Sequence, residues 1–112
     1  MSVISEPFKA LGDPVRLRLF YLLSCHDELC VCHLTDALGL PQSTVSRHLG
    51  LLRNAKLVAT RRDGKWMYYR LNGDIATALT KVLKQMADDE LKADALRLGK
   101  ILQGVSPPCT AN

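Results

Sequence analysis

Apolar residues recur along most of this chain at intervals of three and four, and over one stretch the interval drops to two. The longer interval is that of a helix with one buried face; the shorter is that of a strand. Asp13-Pro14 marks a helix start, because Asp caps the first amides and Pro fits where no intrahelical N–H is needed. Leu17, Leu19, Phe20, Leu22 and Leu23 carry that helix to about Ser24. Before it, Pro7–Leu11 predicts a short helix ended by Gly12, and after it the polar segment CHDE reads as a turn. Val31–Leu38 predicts two further turns with Leu34 and Ala37 on one side, and Gly39 suits the left-handed position that closes a helix. In LGLPQSTVSRHLGLLRNAKLV, Pro41 fits the first position of a new helix. Val45, Leu49 and Leu52 form its core stripe, with Gln42, Ser43, Ser46, Arg47, Arg53 and Asn54 largely opposite.

The two-residue interval falls in Lys56–Arg62 and Lys65–Leu71, two strands about an Asp63-Gly64 hairpin turn. From Asp74 the pattern is helical again through Leu79, Val82, Leu83 and Met86, and Asp89 is expected to cap a last helix with Leu91, Ala95, Leu98 and Leu102. The expected fold class is mainly α with a small β-hairpin. One domain is expected over 1–103, with a flexible tail over 104–112 containing Pro107-Pro108.

Composition narrows the class without changing the elements. The 112 residues are 47% hydrophobic and 23% charged, ordinary for one globular domain. No apolar run approaches the roughly 20 residues that span a bilayer. The first residues lack the basic-then-apolar order of a signal peptide, so a cytoplasmic location and no membrane partner are expected. In that reducing compartment the four cysteines are expected as thiols.

The net charge of +4 is unevenly placed. Residues 1–40 carry three basic and five acidic groups, and residues 71–112 five of each. Residues 41–70 hold seven basic groups against Asp63 alone, an electrostatic footprint suited to a polyanion.

Two short helices joined by a glycine turn and followed by a basic hairpin have the order of a winged helix-turn-helix. Gln42, Ser43, Thr44, Ser46 and Arg47, small or hydrogen-bonding side chains at a helix start, can approach base edges and phosphates of double-stranded DNA. Arg61, Arg62 and Lys65 at the hairpin tip can reach the backbone or a minor groove. His48 lies near the apolar stripe and is expected to pack as a structural residue. Trp66 and Tyr68 are expected to support the wing rather than stack on bases.

The segments FKALGDPVRLRLFYLLS, ELCVCHL, QSTVSRHLGLLRNAKLV and RRDGKWMYYRLN together resemble the ArsR/SmtB family of metalloregulatory repressors over about residues 7 to 72. The resemblance implies a homodimer, joined through its N- and C-terminal helices, that represses transcription and leaves its operator when an inducer binds. ELCVC is most similar to the arsenite and antimonite sensors, which implies As(III), or Sb(III), as inducer. Sensors of cadmium and lead are the next most similar, and a zinc-responsive or thiol-oxidising regulator is the remaining alternative. An enzyme is not expected, because no helix-plus-strand frame surrounds a Cys/His nucleophile.

Cys30 and Cys32 are the expected inducer ligands. In mid-helix their side chains would diverge by about 200°, but at a helix start the first need not be helical and both sulfurs can converge. The arsenite-sensor pattern extends as E-L-C-V-C-D-L-C, whereas this chain has His33 and Thr35 at the aspartate and third cysteine positions. The third sulfur is expected from Cys109 in the tail, with Cys25 or an external hydroxide or small thiol as alternatives. For Cd²⁺, Pb²⁺ or Zn²⁺, His33 or His26 would join the cysteines.

Overall fold

The computed structural model describes residues 2–104, with side chains from residue 5 onward. Six helices and three short strands follow one another as α1 (Ser2–Leu11), α2 (Pro14–Ser24), β1 (Leu29–Cys30), α3 (Val31–Leu38), α4 (Gln42–Asn54), β2 (Val58–Asp63), β3 (Trp66–Leu71), α5 (Gly73–Met86) and α6 (Asp89–Gln103). The expected tail lies outside the described residues from 105 onward.

The local signals act at the atoms. Asp13 Oδ2 accepts from the amides of Val15 and Arg16 at 2.9 and 3.2 Å and starts α2. Gly39, at φ 68° and ψ 31°, ends α3. That left-handed geometry is open to glycine without a Cβ penalty. It lets the three residues 39–41 turn the chain into α4.

Several boundaries differ from expectation. Helix α1 begins at Ser2 rather than Pro7, so Pro7 lies inside it and is buried there. Pro41 is the extended residue before α4, not its first helical residue. The last helix is capped by Asp88, whose Oδ1 accepts from Leu91 N at 3.0 Å, one residue earlier than Asp89. In the hairpin Asp63 pairs with Trp66, so the turn centres on Gly64-Lys65, with Gly64 at φ 63°. Glycine at the first central position suits the twist of a two-residue hairpin.

The hairpin is also not alone. Leu29 and Cys30 pair antiparallel with Tyr69 and Tyr68, giving a three-stranded sheet in the order β1-β3-β2. A two-residue strand has no periodicity to read, which is why the sequence offers only a turn there.

The core is one cluster. Leu19, Phe20, Leu22 and Leu23 of α2 meet Leu34 of α3, Val45, Leu49 and Leu52 of α4, and Leu98 of α6. Each buried leucine of this kind contributes about 1.5–3 kcal/mol. α3 packs on both α6 and α4, so the helix that begins at the cysteine pair touches both the last helix and α4. On α6, Asp94 is fully buried. It accepts from Arg18 Nε and Nη2 at 2.8 and 3.0 Å and also from Arg97. Arg97 Nε donates to the carbonyl of Ala37 at 2.8 Å, tying α6 to the end of α3.

Among the described residues the large apolar side chains that are more than half exposed are Phe8, Ile75, Val82, Met86 and Leu96. They belong to α1, α5 and α6, the terminal helices.

Candidate nucleic-acid interface and thiol cleft

α4 has two faces. Val45, His48, Leu49 and Leu52 are buried, while Gln42, Ser43 and Arg47 are exposed and Thr44 and Ser46 half-buried. Pro41 provides no side-chain cap, so the first-turn amides of α4 are open to an anion. Arg62 and Lys65 are exposed at the wing tip, with Lys65 Nζ 5.1 Å from the centroid of Trp66. Trp66 and Tyr68 are half-buried on the wing, and Tyr69 beside them enters the core.

His48 packs inward from α4. Its Nδ1 lies 3.1 Å from Arg16 Nη1 and 3.8 Å from Asp13 Oδ2, and its Nε2 lies 3.4 Å from Arg47 Nη2. Burial, foremost, pushes its pKa below the usual imidazole value; the charges of Arg47 and Arg16 act the same way and Asp13 opposes them.

Arg61 is placed differently from Arg62 and Lys65. Its Nε and Nη2 donate to the two carboxylate oxygens of Glu28 at 2.9 and 2.7 Å, and its guanidinium carbon lies 4.7 Å from the Tyr68 centroid. This pair holds the Glu28 carboxyl below the ordinary carboxylate value. The partners are 33 residues apart, so no local signal in the sequence announces the contact.

Cys30 ends β1 and directly precedes α3, at φ −73° and ψ 143°. Cys30 is thus not a helical residue, and the divergence of two helical cysteines does not apply to this pair. Cys30 is buried and Cys32, in the first turn, is half-buried. Both line a cleft of about 330 Å³ whose other walls are Val31, Gln42, Arg62, Lys65, Trp66 and Met67. The cleft thus joins the cysteine pair to the start of α4 and to the wing tip.

Cys25 and Cys30 are thiols, whereas Cys32 is disulfide-bonded, a departure from the expectation of thiols throughout. The expectation rested on the redox poise of a compartment, which does not enter the geometry. Cys25 is exposed, and its Sγ donates to the Tyr21 carbonyl at 3.3 Å. Thr35, at the third position of the cysteine pattern, donates instead to the Val31 carbonyl at 2.9 Å. His33 is half-buried, and burial lowers its pKa despite Asp36 nearby. His26 is exposed. Among the described residues no three His, Cys, Asp or Glu side chains gather as a metal site needs, so neither Cys25, His26 nor His33 completes the pair there. Cys109 lies outside the described residues.

Residues 13–60 match the family model described as "Bacterial regulatory protein, arsR family". The chain is 43% identical to the arsenic resistance transcriptional regulator ArsR1 of Pseudomonas putida, over 89% of this chain and 82% of that protein. It is 45% identical to the arsenical resistance operon repressor of Escherichia coli, over 70% of this chain and 67% of that protein. Among solved structures it resembles the homodimeric winged helix-turn-helix DNA-binding domain Mb0332 of Mycobacterium bovis. The TM-score is 0.69 at 31% identity, covering 81% of this chain and 83% of that one.

Proposed function

This chain belongs to the arsR family of bacterial regulatory proteins, and on that premise we propose that it is a homodimeric repressor released from operator DNA when Cys30 and Cys32 capture trivalent arsenic. It is a transcriptional regulator with a winged helix-turn-helix, not an enzyme. The observation that carries the finer reading is the cleft shared by Cys30, Cys32, Gln42, Arg62 and Lys65. A ligand held by the two sulfurs sits against the elements that meet DNA.

The chemistry fits the donor set. Trivalent arsenic is thiophilic, and each As–S bond formed releases one water as the thiol proton joins a departing hydroxide. Cys30 and Cys32 of the reduced protein would supply two sulfurs, and Cys109 is the proposed third. Arsenite is uncharged near neutral pH and its trithiolate is uncharged as well, so release cannot be mainly electrostatic. It is geometric: drawing Cys30 and Cys32 together reshapes the first turn of α3, and α3 packs on α4. Gln42, Ser43, Thr44, Ser46 and Arg47, which fit the groove while Arg62 and Lys65 hold the phosphates of the bound operator, then lose that fit and the dimer leaves.

Arsenite titrated onto the reduced protein bound to fluorescent operator should lower the anisotropy to that of unbound DNA. Cys30→Ser and Cys32→Ser should bind operator as wild type does and ignore arsenite. Should both remain fully inducible, the site is elsewhere. Parallel titrations with Sb(III), Cd²⁺, Pb²⁺ and Zn²⁺ define the inducer.

The disulfide at Cys32 favours a second reading, in which an oxidant removes two electrons and two protons from a pair of thiols and so controls DNA binding. Release by peroxide, reversed by dithiothreitol and absent in Cys32→Ser, would support it over arsenic capture.

A further inference from the structure

We propose that the Glu28–Arg61 pair is the link through which ligand capture at Cys30 reaches the wing, and that Arg61 is a positioning residue rather than a phosphate contact. This rests on the reading of Cys30 and Cys32 as inducer ligands. Three observations carry it.

Arg61 is already occupied. Its planar fork is matched by both oxygens of Glu28, and Asp63 Oδ2 lies 3.9 Å from Nη1. Bidentate arginine–carboxylate pairing fixes orientation in a way that a single contact does not. Arg61 is exposed as Arg62 and Lys65 are, but with two carboxylates facing it the guanidinium adds little field for a phosphate.

The pair also closes a continuous row. Cys30 stands opposite Tyr68 in β3, and Tyr68 stands opposite Arg61 in β2. Arg61 lies over the Tyr68 ring and returns to Glu28, two residues before Cys30. Backbone pairing and side-chain pairing therefore both connect the cysteine's strand to β2 across Tyr68.

Third, β1 is only two residues long. So short a strand cannot transmit displacement through its ladder alone. Glu28 gives it a second attachment, out on the wing strand that ends beside Arg62 and Lys65.

The test uses the full, reduced chain. Operator affinity is measured by anisotropy with and without arsenite over a range of salt. Arsenite binding is followed separately through Trp66, the single tryptophan, which lines the cleft. Glu28→Gln should bind arsenite within about twofold of wild type. It should lose at least about tenfold of the factor by which arsenite weakens operator binding, since a ligand shifts an equilibrium only through differential affinity. Arg61→Lys keeps the charge but not the fork, and should lose the same coupling. Should Glu28→Gln misfold, Arg61→Lys decides. Full arsenite release in both variants overturns the proposal. So does a drop of about 0.9 in the log–log salt slope on Arg61→Gln, the signature of one lost phosphate contact. If wild type binds operator but never responds to arsenite, the inducer reading fails and with it the coupling. The salt series then still separates Arg61 from Arg62.

Discussion

Arg16 and His48 meet at 3.1 Å although 32 residues separate them, Nη1 of the arginine against Nδ1 of the imidazole. Arginine has only donors, so a neutral His48 accepts at Nδ1 and carries its proton on Nε2. Nε2–H then faces Arg47, another donor, at 3.4 Å. Arg47 is therefore not retained by His48, and its exposed guanidinium is available to a base or phosphate.

Protonating His48 would set a third positive charge between two arginines, with Asp13 alone to offset it. The folded-state pKa lies below the ordinary 6.5, so the unfolded chain binds the proton more readily. The stability that neutral His48 provides is full above the ordinary value and lost as pH falls through the lower folded value. Urea denaturation at a series of pH values below neutrality should show this loss, and His48→Gln should flatten it. His33, whose pKa is shifted in the same direction, remains in both proteins and serves as the control. An unchanged pH profile in His48→Gln would remove the assignment.

Arg47→Ala and Ser43→Ala should weaken operator binding and blur sequence preference by about 1–3 kcal/mol per lost base contact. Arg62→Ala and Lys65→Ala should instead weaken all sequences alike and flatten the salt slope by about 0.9 each. Competition titrations with operator and random DNA distinguish the two patterns. Specific affinity untouched by Arg47→Ala would move the reading face elsewhere.

Val82 is 54% exposed and Met86 71% on α5, and Phe8 is 64% exposed on α1. We expect these residues to be covered in the homodimer. Val82→Asp should yield monomers by light scattering and abolish binding to a two-fold operator. A monomeric, folded variant with wild-type operator affinity would count against the dimer.

Asp94→Ala should cost about 3–5 kcal/mol in denaturant unfolding, because it leaves Arg18 without its buried carboxylate. Arg18 is partly covered and hydrogen-bonded to Asp94 through both Nε and Nη2. A loss below about 1 kcal/mol would mean that water replaces the carboxylate at no great cost.

Much of this architecture is written in local chemistry. Asp13-Pro14, Gly39 and the Val45/Leu49/Leu52 stripe act over one to seven residues, so their consequences are readable in order along the chain. Boundaries shift where two residues compete for one role: Asp88 and Asp89 both can cap, and the cap went to the first. What the sequence conceals is distance. Glu28 and Arg61, or Asp94 and Arg18 at a separation of 76, become partners only once the chain has closed. Asp94 is hidden further by standing among the apolar residues of α6, where a charge signals a solvent face rather than a buried one. Of the cysteine site, the helix-start geometry of Cys30 was legible. Its shared cleft with Gln42 and the wing was not, because it depends on the packing of three elements.

The division of α4 into two faces has a consequence for descent. The residues that hold the helix in place, Val45, His48, Leu49 and Leu52, are buried, and none is among those proposed to touch DNA. Ser43 and Arg47, which do not line the cysteine cleft, can therefore be exchanged without disturbing the scaffold, and the 39–41 link that leads into α4 does not include them. A lineage carrying this fold can move to new operators through a few surface substitutions while its sensing apparatus stays intact. On the function proposed above, promoter choice and effector choice are in this sense separately heritable traits of one short polypeptide.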